Sequence, residues 1–279
     1  RYYVMATGCL SMPKAAEVEG AERFQGDVYF TSRWPHEGVD FSGMRVGVIG
    51  TGSSAVQSIP IIAQQASQLT VFQRTATWSV PAWNEALSAE CLKEAKANYP
   101  ELRAKARARP TGFYFPFNTE PALQANAEER QQQYEAAWQR GGLPFLGAYG
   151  DLLFEKSAND TIAEFARQKI RSVVRDPATA ELLCPQNVFG CKRLCVDTGY
   201  FETYNLPHVK LVDVSKTPIE RFTKDGIVVD GTEYKADAIV SATGFAAMTG
   251  SFDKMAITGR GGRALTEKWH AGPRAYLGL

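Results

Sequence analysis

The sequence predicts an α/β protein: a parallel sheet with covering helices, interrupted by a long helical block. Three observations predict it. Residues 45–75, "RVGVIGTGSSAVQSIPIIAQQASQLTVFQRT", read as apolar strand, glycine turn, apolar helix and second strand. From about Glu85 to Val174 the texture changes to alanine and charge at helical spacing, with no strand run. β-type runs then return and end in the apolar strand "ADAIVSATGF".

The 279 residues, 44% hydrophobic, suffice for one large domain or two ordinary ones. A net charge of +1 points to neither nucleic acid nor membrane as a partner. No apolar run approaches a membrane span, and no leader is visible. Five cysteines are scattered, and none of the three histidines lies near Cys191 and Cys195. No metal site is therefore expected, and the cysteines read as free thiols in a reducing cytoplasm. The oligomeric state is left open. The chain opens in a strand, "RYYVMATG", and stops in the strand-like "YLGL", so we expect it to be part of a longer protein.

In order, residues 1–12 read as a strand and small-residue turn. Residues 13–40 are loop-like, with a short strand over Asp27–Thr31. The unit at 44–75 follows, then an aromatic loop at 76–84. "EALSAECLKEAKANYPELRAKARAR" and "EPALQANAEERQQQYEAAWQR" are helical, the second closed by Gly141-Gly142. "NDTIAEFARQKIRSVVR" is a third helix, capped by Asn159 or Asp160. The aromatics of "TGFYFPFN" read as core packing. Residues 176–206 suggest loops and short helices. "HVKLVDV", "PIERFT" and "GIVVDGTEY" are strands, with a hairpin turn at Asp230-Gly231.

Gly50-Thr51-Gly52-Ser53-Ser54-Ala55 fits G-x-G-x-x-[GA] between a buried strand and an apolar helix, the Rossmann-like context in which that pattern is informative. Gly50 permits the tight turn, Gly52 lets the backbone approach a pyrophosphate, and Ala55 lets helix pack on strand. The helix N-terminus offers unpaired N–H groups to the phosphates. The expected cofactor-binding residues are Gly50, Thr51, Gly52, Ser53, Ser54, Ala55, Val56 and Gln57. Where an NAD site carries an acid for the ribose 2′-hydroxyl, this second strand ends in Gln73-Arg74-Thr75. A guanidinium there suits a 2′-phosphate, so Arg74 and Thr75 join the set and the expected cofactor is NADPH.

"VMATGCLS" and "IVSATGFAAMTG" each put a small-residue turn after an apolar strand, flanking the complete nucleotide unit. The expected arrangement is a Rossmann-like NADPH-binding domain set into pieces of a second, FAD-binding dinucleotide domain. Its divisions are 1–40, part of the FAD-binding domain and linker; 41–84 and 176–236, the NADPH-binding domain; 85–175, a helical insertion; and 237–279, the return to the FAD-binding domain.

"FQGDVYFTSRWP" resembles the fingerprint F-x-G-x-x-x-H-x-x-x-W-P of the type I Baeyer–Villiger monooxygenases. The resemblance continues through "DFSGMRVGVIGTGSSAVQSIP", "VFQRT", "GCKRLCVDTGYFETYN", "ATGFAAMTG" and "ITGRGG…L…KW…GPRAYLGL", in family order. There are two departures. Phe30 stands at the fingerprint histidine, where no imidazole hydrogen bond can form, and Ala246 stands at a position that is often Asp.

The resemblance implies an FAD- and NADPH-dependent enzyme that uses O₂, through a flavin C4a-peroxide, to convert ketones to esters or lactones. It implies that Arg193 is the catalytic arginine and also touches the nicotinamide end of the cofactor, while Lys192 joins Arg74 at the 2′-phosphate. An arginine suits anionic oxygen because it keeps its proton and offers several donors. His36, Glu37 and Asp40 read as surface residues, Trp78 and Trp83 as packing, and Tyr200, Phe201 and Tyr204 as packing the arm that carries Arg193. The alternatives are an N- or S-oxygenating flavin monooxygenase, against which Trp34-Pro35 argues, and an NADPH-binding fragment without turnover.

Overall fold

The computed structural model describes residues 8–14, 18–109, 112–113 and 117–275. The expected strand over 1–12, the aromatic run at 111–118 and the closing run at 276–279 lie wholly or partly outside them.

The 45–75 unit folds as its periodicity predicts. Strand β2 (Arg45–Ile49) is preceded by the short β1 (Asp27–Phe30) and followed by α1 (Ser53–Gln65) and β3 (Gln68–Gln73). The α1 face formed by Ala55, Val56, Ile59, Ile62 and Ala63 is buried against Val46, Val48, Leu69 and Val71. The loop after β3 contains a short strand that the sequence reading missed, β4 (Ser79–Pro81).

The helical block contains α2 (Ala89–Ala97), α3 (Tyr99–Arg107), α4 (Ala127–Arg140) and α5 (Lys156–Val173), and no strand among its described residues. The single helix expected over the first run breaks at Asn98, because Pro100 lacks an N–H and fits only a helix's first turn. Helix α4 opens on a capping box between Asn126 and Glu129. Asn159 is not a cap: α5 begins three residues earlier, and the Asn159 side chain is buried. Its amide donates to Leu152 O (2.7 Å) and Phe189 O (2.8 Å), and its oxygen accepts from Phe189 N (3.0 Å). A buried amide needs these partners, and only the folded loops supply them. Tyr134, Trp138, Phe145, Phe165 and Phe189 pack in edge-on and tilted pairs into a core distinct from that under α1.

Helix α6 (Pro177–Leu183) leads to β5 (Cys195–Asp197), a strand where loops were expected, which pairs in parallel with β4. After α7 (Tyr200–Thr203) come β6 (Val209–Asp213), the antiparallel β7 (Arg221–Phe222), β8 (Gly226–Val229) and β9 (Thr232–Lys235), and then β10 (Ala238–Ser241). The β8–β9 hairpin turns at Asp230-Gly231, with Asp230 at a φ of 50°.

The main sheet is parallel throughout, in the order β1-β10-β2-β3-β6. This corrects the expected divisions, which assigned 27–30 and 238–241 to another domain: β10 lies beside β2 inside the sheet and β1 pairs with it. The reason is that a fully buried strand such as Ala238–Ser241 needs parallel neighbours on both edges, and its partners are distant in sequence. Arg45 and Asp237 hold the β2–β10 register. The guanidinium donates to both carboxylate oxygens (3.0 and 2.5 Å), and Arg45 N donates to Asp237 Oδ2 (2.8 Å). The segment after Gly8 meets the Thr243–Ala246 segment: Lys14 N donates to Gly244 O, Ala246 N to Met12 O, and the Thr243 hydroxyl to Lys14 O.

Candidate dinucleotide site

From β2 the chain proceeds outward through β3 and β6, while β10 and β1 lie on its other side. The C-terminal ends of β2 and β10 thus bound a topological switch point, where open α/β sheets bind ligands. The glycine turn sits there. Gly50 has a φ of 104°, and a Cβ on it would stand 2.8 Å from Ala242 O at the end of β10. Gly52, by contrast, has open space where its Cβ would be, which leaves its backbone approachable by a ligand. No side chain caps α1, so its first N–H groups face outward with the positive end of the helix dipole. This turn fits a pyrophosphate.

The rest of the predicted set divides by position. Ser53 and Ser54 are exposed on the first turn of α1 and Gln57 at the start of the second, with Gln57 Nε2 donating to Ser53 O (3.0 Å). Ala55 and Val56 are fully buried in the core, and Val56 N donates to Gly52 O (2.9 Å). The structure therefore removes Val56 from the cofactor-facing residues, because both its side chain and its N–H are committed. Thr51 is buried, and its hydroxyl donates to Thr75 O (2.8 Å).

Arg74 is exposed at the end of β3 and has no ion pair among the described residues. Its neighbour Gln73 is buried and donates Nε2 to Leu182 O (2.6 Å), and Gln73 O accepts from Val214 N (2.8 Å). Lys192 and Arg193 are also exposed, immediately before β5. Because β4 and β5 run parallel, the segments carrying Arg74 and Lys192-Arg193 enter this ribbon from the same end. The thiol of Cys195 lies 3.9 Å from Thr77 Oγ1, and Cys195 is buried in the same core as Ala55 and Val56, so the arm carrying Arg193 packs against α1. Burial raises the Cys195 thiol pKa, and the contact with the Thr77 hydroxyl partly offsets this. Tyr200, Phe201 and Tyr204 are buried in the same core as α1, with Tyr204 donating to the Tyr200 hydroxyl (3.0 Å).

Asp197 is the residue the sequence reading missed. It is 8% exposed, and its carboxylate accepts from Ser79 Oγ (2.5 Å) and Tyr200 N (3.2 Å). Burial pushes its pKa up. A lone acid inside the apolar run "LCVDTGYF" was the available signal. Trp34 of the fingerprint packs on Tyr29 (ring centroids 5.9 Å apart) and Phe41 (6.1 Å), while His36 is exposed. Two pockets among the described residues contain no turn residue: one of about 510 Å³ includes Gln124, Glu129 and Tyr149, and one of about 240 Å³ includes Trp83, Trp138, Asp197 and Phe201. No cluster that could hold a metal ion occurs among the described residues.

Sheet order and turn define a Rossmann-type dinucleotide-binding protein. No family model matches the chain. Over its full length it is 40% identical to a Baeyer–Villiger monooxygenase of Pseudooceanicola batsensis, and 39% identical to a cyclohexanone 1,2-monooxygenase of Acinetobacter sp and to a phenazine N-monooxygenase of Lysobacter antibioticus. It covers 51%, 52% and 52% of these relatives, respectively. The fold superposes on a steroid monooxygenase bound to NADP (TM-score 0.91, 52% identity) and on OTEMO in complex with FAD and NADP (0.94, 39%). In each case it covers 98% of this chain and 53% of the other. These similarities are to the Baeyer–Villiger monooxygenases, and the chain spans about half the length of the curated relatives it matches.

Proposed function

We propose that the protein is an NADPH- and O₂-dependent flavin monooxygenase that converts small-molecule ketones to esters or lactones. The observation that carries this reading is the placement of Arg193: an exposed guanidinium just before β5, whose Cys195 packs in one core with Ala55 and Val56 of the dinucleotide helix. In this reading α1 and Gly52 bind the pyrophosphate, and Arg74 and Lys192 bind the 2′-phosphate. Arg193 holds a permanent positive charge beside the nicotinamide end and stabilises anionic oxygen there. Bound FAD would supply electron transfer from NADPH to O₂ and the oxygen delivered to the carbonyl. The relatives named for cyclohexanone and for Baeyer–Villiger oxidation support a ketone substrate. The exposed free thiols of Cys9, Cys91 and Cys191 support a reducing, cytoplasmic setting.

The test is Arg193→Ala in the FAD-loaded protein. Flavin reduction by NADPH is expected to continue while ester formation from a cyclic ketone is lost; undiminished ester formation overturns the role. The phenazine N-monooxygenase relative favours a second reading, oxygenation of nitrogen. Comparing a cyclic ketone with an aromatic amine as the stimulus for NADPH consumption separates the two.

A further inference from the structure

We infer that Thr51, the middle residue of Gly50-Thr51-Gly52, determines coenzyme specificity by positioning Arg74 rather than by touching the phosphates. The inference rests on the reading of Arg74 as the 2′-phosphate ligand.

Thr51 is 4% exposed, so it does not present its hydroxyl to a ligand in the open space over the turn. It turns away and donates to Thr75 O at 2.8 Å. One residue earlier in the turn, Gly50 N donates to Phe72 O at 3.0 Å. These two bonds bracket Gln73 and Arg74: one precedes the pair, the other follows it. On the far side, Gln73 is held by Leu182 O and Val214 N. The backbone under Arg74 is thus tied to the pyrophosphate turn at both ends, although the guanidinium itself is exposed and has no ion pair among the described residues.

The distance between pyrophosphate and 2′-phosphate is set by the dinucleotide. An arginine can serve the second only if its backbone stands at a matching distance from the turn that holds the first. The Gly50 bond extends the strand pairing and occurs with any residue at 51. The Thr51 bond needs a hydroxyl. Valine has the shape of threonine and cannot donate; serine donates with less bulk.

The test is the ratio of kcat/KM for NADPH to that for NADH, measured on the FAD-loaded protein with Thr51→Val and Thr51→Ser. The valine variant is expected to lower the ratio roughly 3- to 10-fold, the worth of one neutral hydrogen bond, mainly through the KM for NADPH. The serine variant should stay within about twofold of the parent. In an Arg74→Ala background, Thr51→Val should lower the ratio no further. If valine lowers both coenzymes alike and leaves the ratio unchanged, Thr51 is only structural and the inference fails. Should the valine variant not fold, Thr51→Ala against Thr51→Ser makes the same comparison, with loss expected for alanine alone. A parent enzyme whose preference survives Arg74→Ala would refute the underlying Arg74 reading instead.

Discussion

Ser79 donates its hydroxyl to the buried carboxylate of Asp197 at 2.5 Å, and this bond joins the strand that follows Arg74 to the strand that follows Arg193. The backbone adds Cys195 N to Trp78 O (3.1 Å) and Ala82 N to Asp197 O (2.8 Å). The two cationic segments are therefore branches of one short ribbon, and their relative placement is a property of its register.

Asp197→Ala is expected to cost stability, because it leaves the Ser79 hydroxyl and Tyr200 N–H without their acceptor. The loss should be about 2–6 kcal/mol in chemical denaturation, from roughly 1–3 kcal/mol per orphaned group. Asp197→Asn keeps acceptor capacity and should lose less. Equal stability of Asp197→Ala and the parent would show that the ribbon does not depend on this carboxylate.

Arg74→Ala should raise the KM for NADPH far more than that for NADH, by about 1.5–3 kcal/mol for a lost charged hydrogen bond. Its exposure and lack of an ion pair among the described residues mean that the fold should be unaffected, so Tm should stay close to the parent's. Steady-state kinetics with both coenzymes checks this, and an unchanged preference contradicts the assignment.

Gly50→Ala combines two penalties, a left-handed φ of 104° and a Cβ 2.8 Å from Ala242 O. The turn and the end of β10 would have to separate. We expect a fall in Tm together with a loss of NADP⁺ affinity in fluorescence titration. Gly52→Ala has room for its Cβ in the free protein, so it should lose NADP⁺ affinity with little change in Tm. If both variants behave alike, open space at Gly52 is not where the cofactor approaches.

Two aspartates should shift acid stability in opposite senses. Arg45 holds the Asp237 carboxyl down at about 2, so its stabilising contribution is complete above the unfolded value of about 3.9 and is lost as pH falls through 2. Burial raises Asp197, so its contribution favours the folded state increasingly as pH falls from above its raised pKa towards 3.9. Asp237→Asn should therefore flatten the loss of Tm between pH 4 and pH 2, and Asp197→Asn should leave that window unchanged. A parent-like acid slope for Asp237→Asn would show that the exposed Arg45 pair contributes little.

The sequence by itself determined what short-range pattern can carry. Alternation and 3.6-residue periodicity gave β2, α1, β3 and the long helices; the Asp230-Gly231 pair gave the hairpin; the turn Gly50–Ala55 and the strand-end Arg74 gave the proposed dinucleotide site. Tertiary structure alone decided that β1 and β10 complete the sheet, that Asn159 bridges two loops instead of capping a helix, and that Val56 faces the core. It also decided that Asp197 meets Ser79 across 118 residues and that Thr51 meets Thr75. The physical reason is the range of the interactions. Periodicity and turn chemistry act within a few residues, whereas a parallel strand pair or a buried polar contact takes its partner from wherever the chain returns, and no local pattern names that partner.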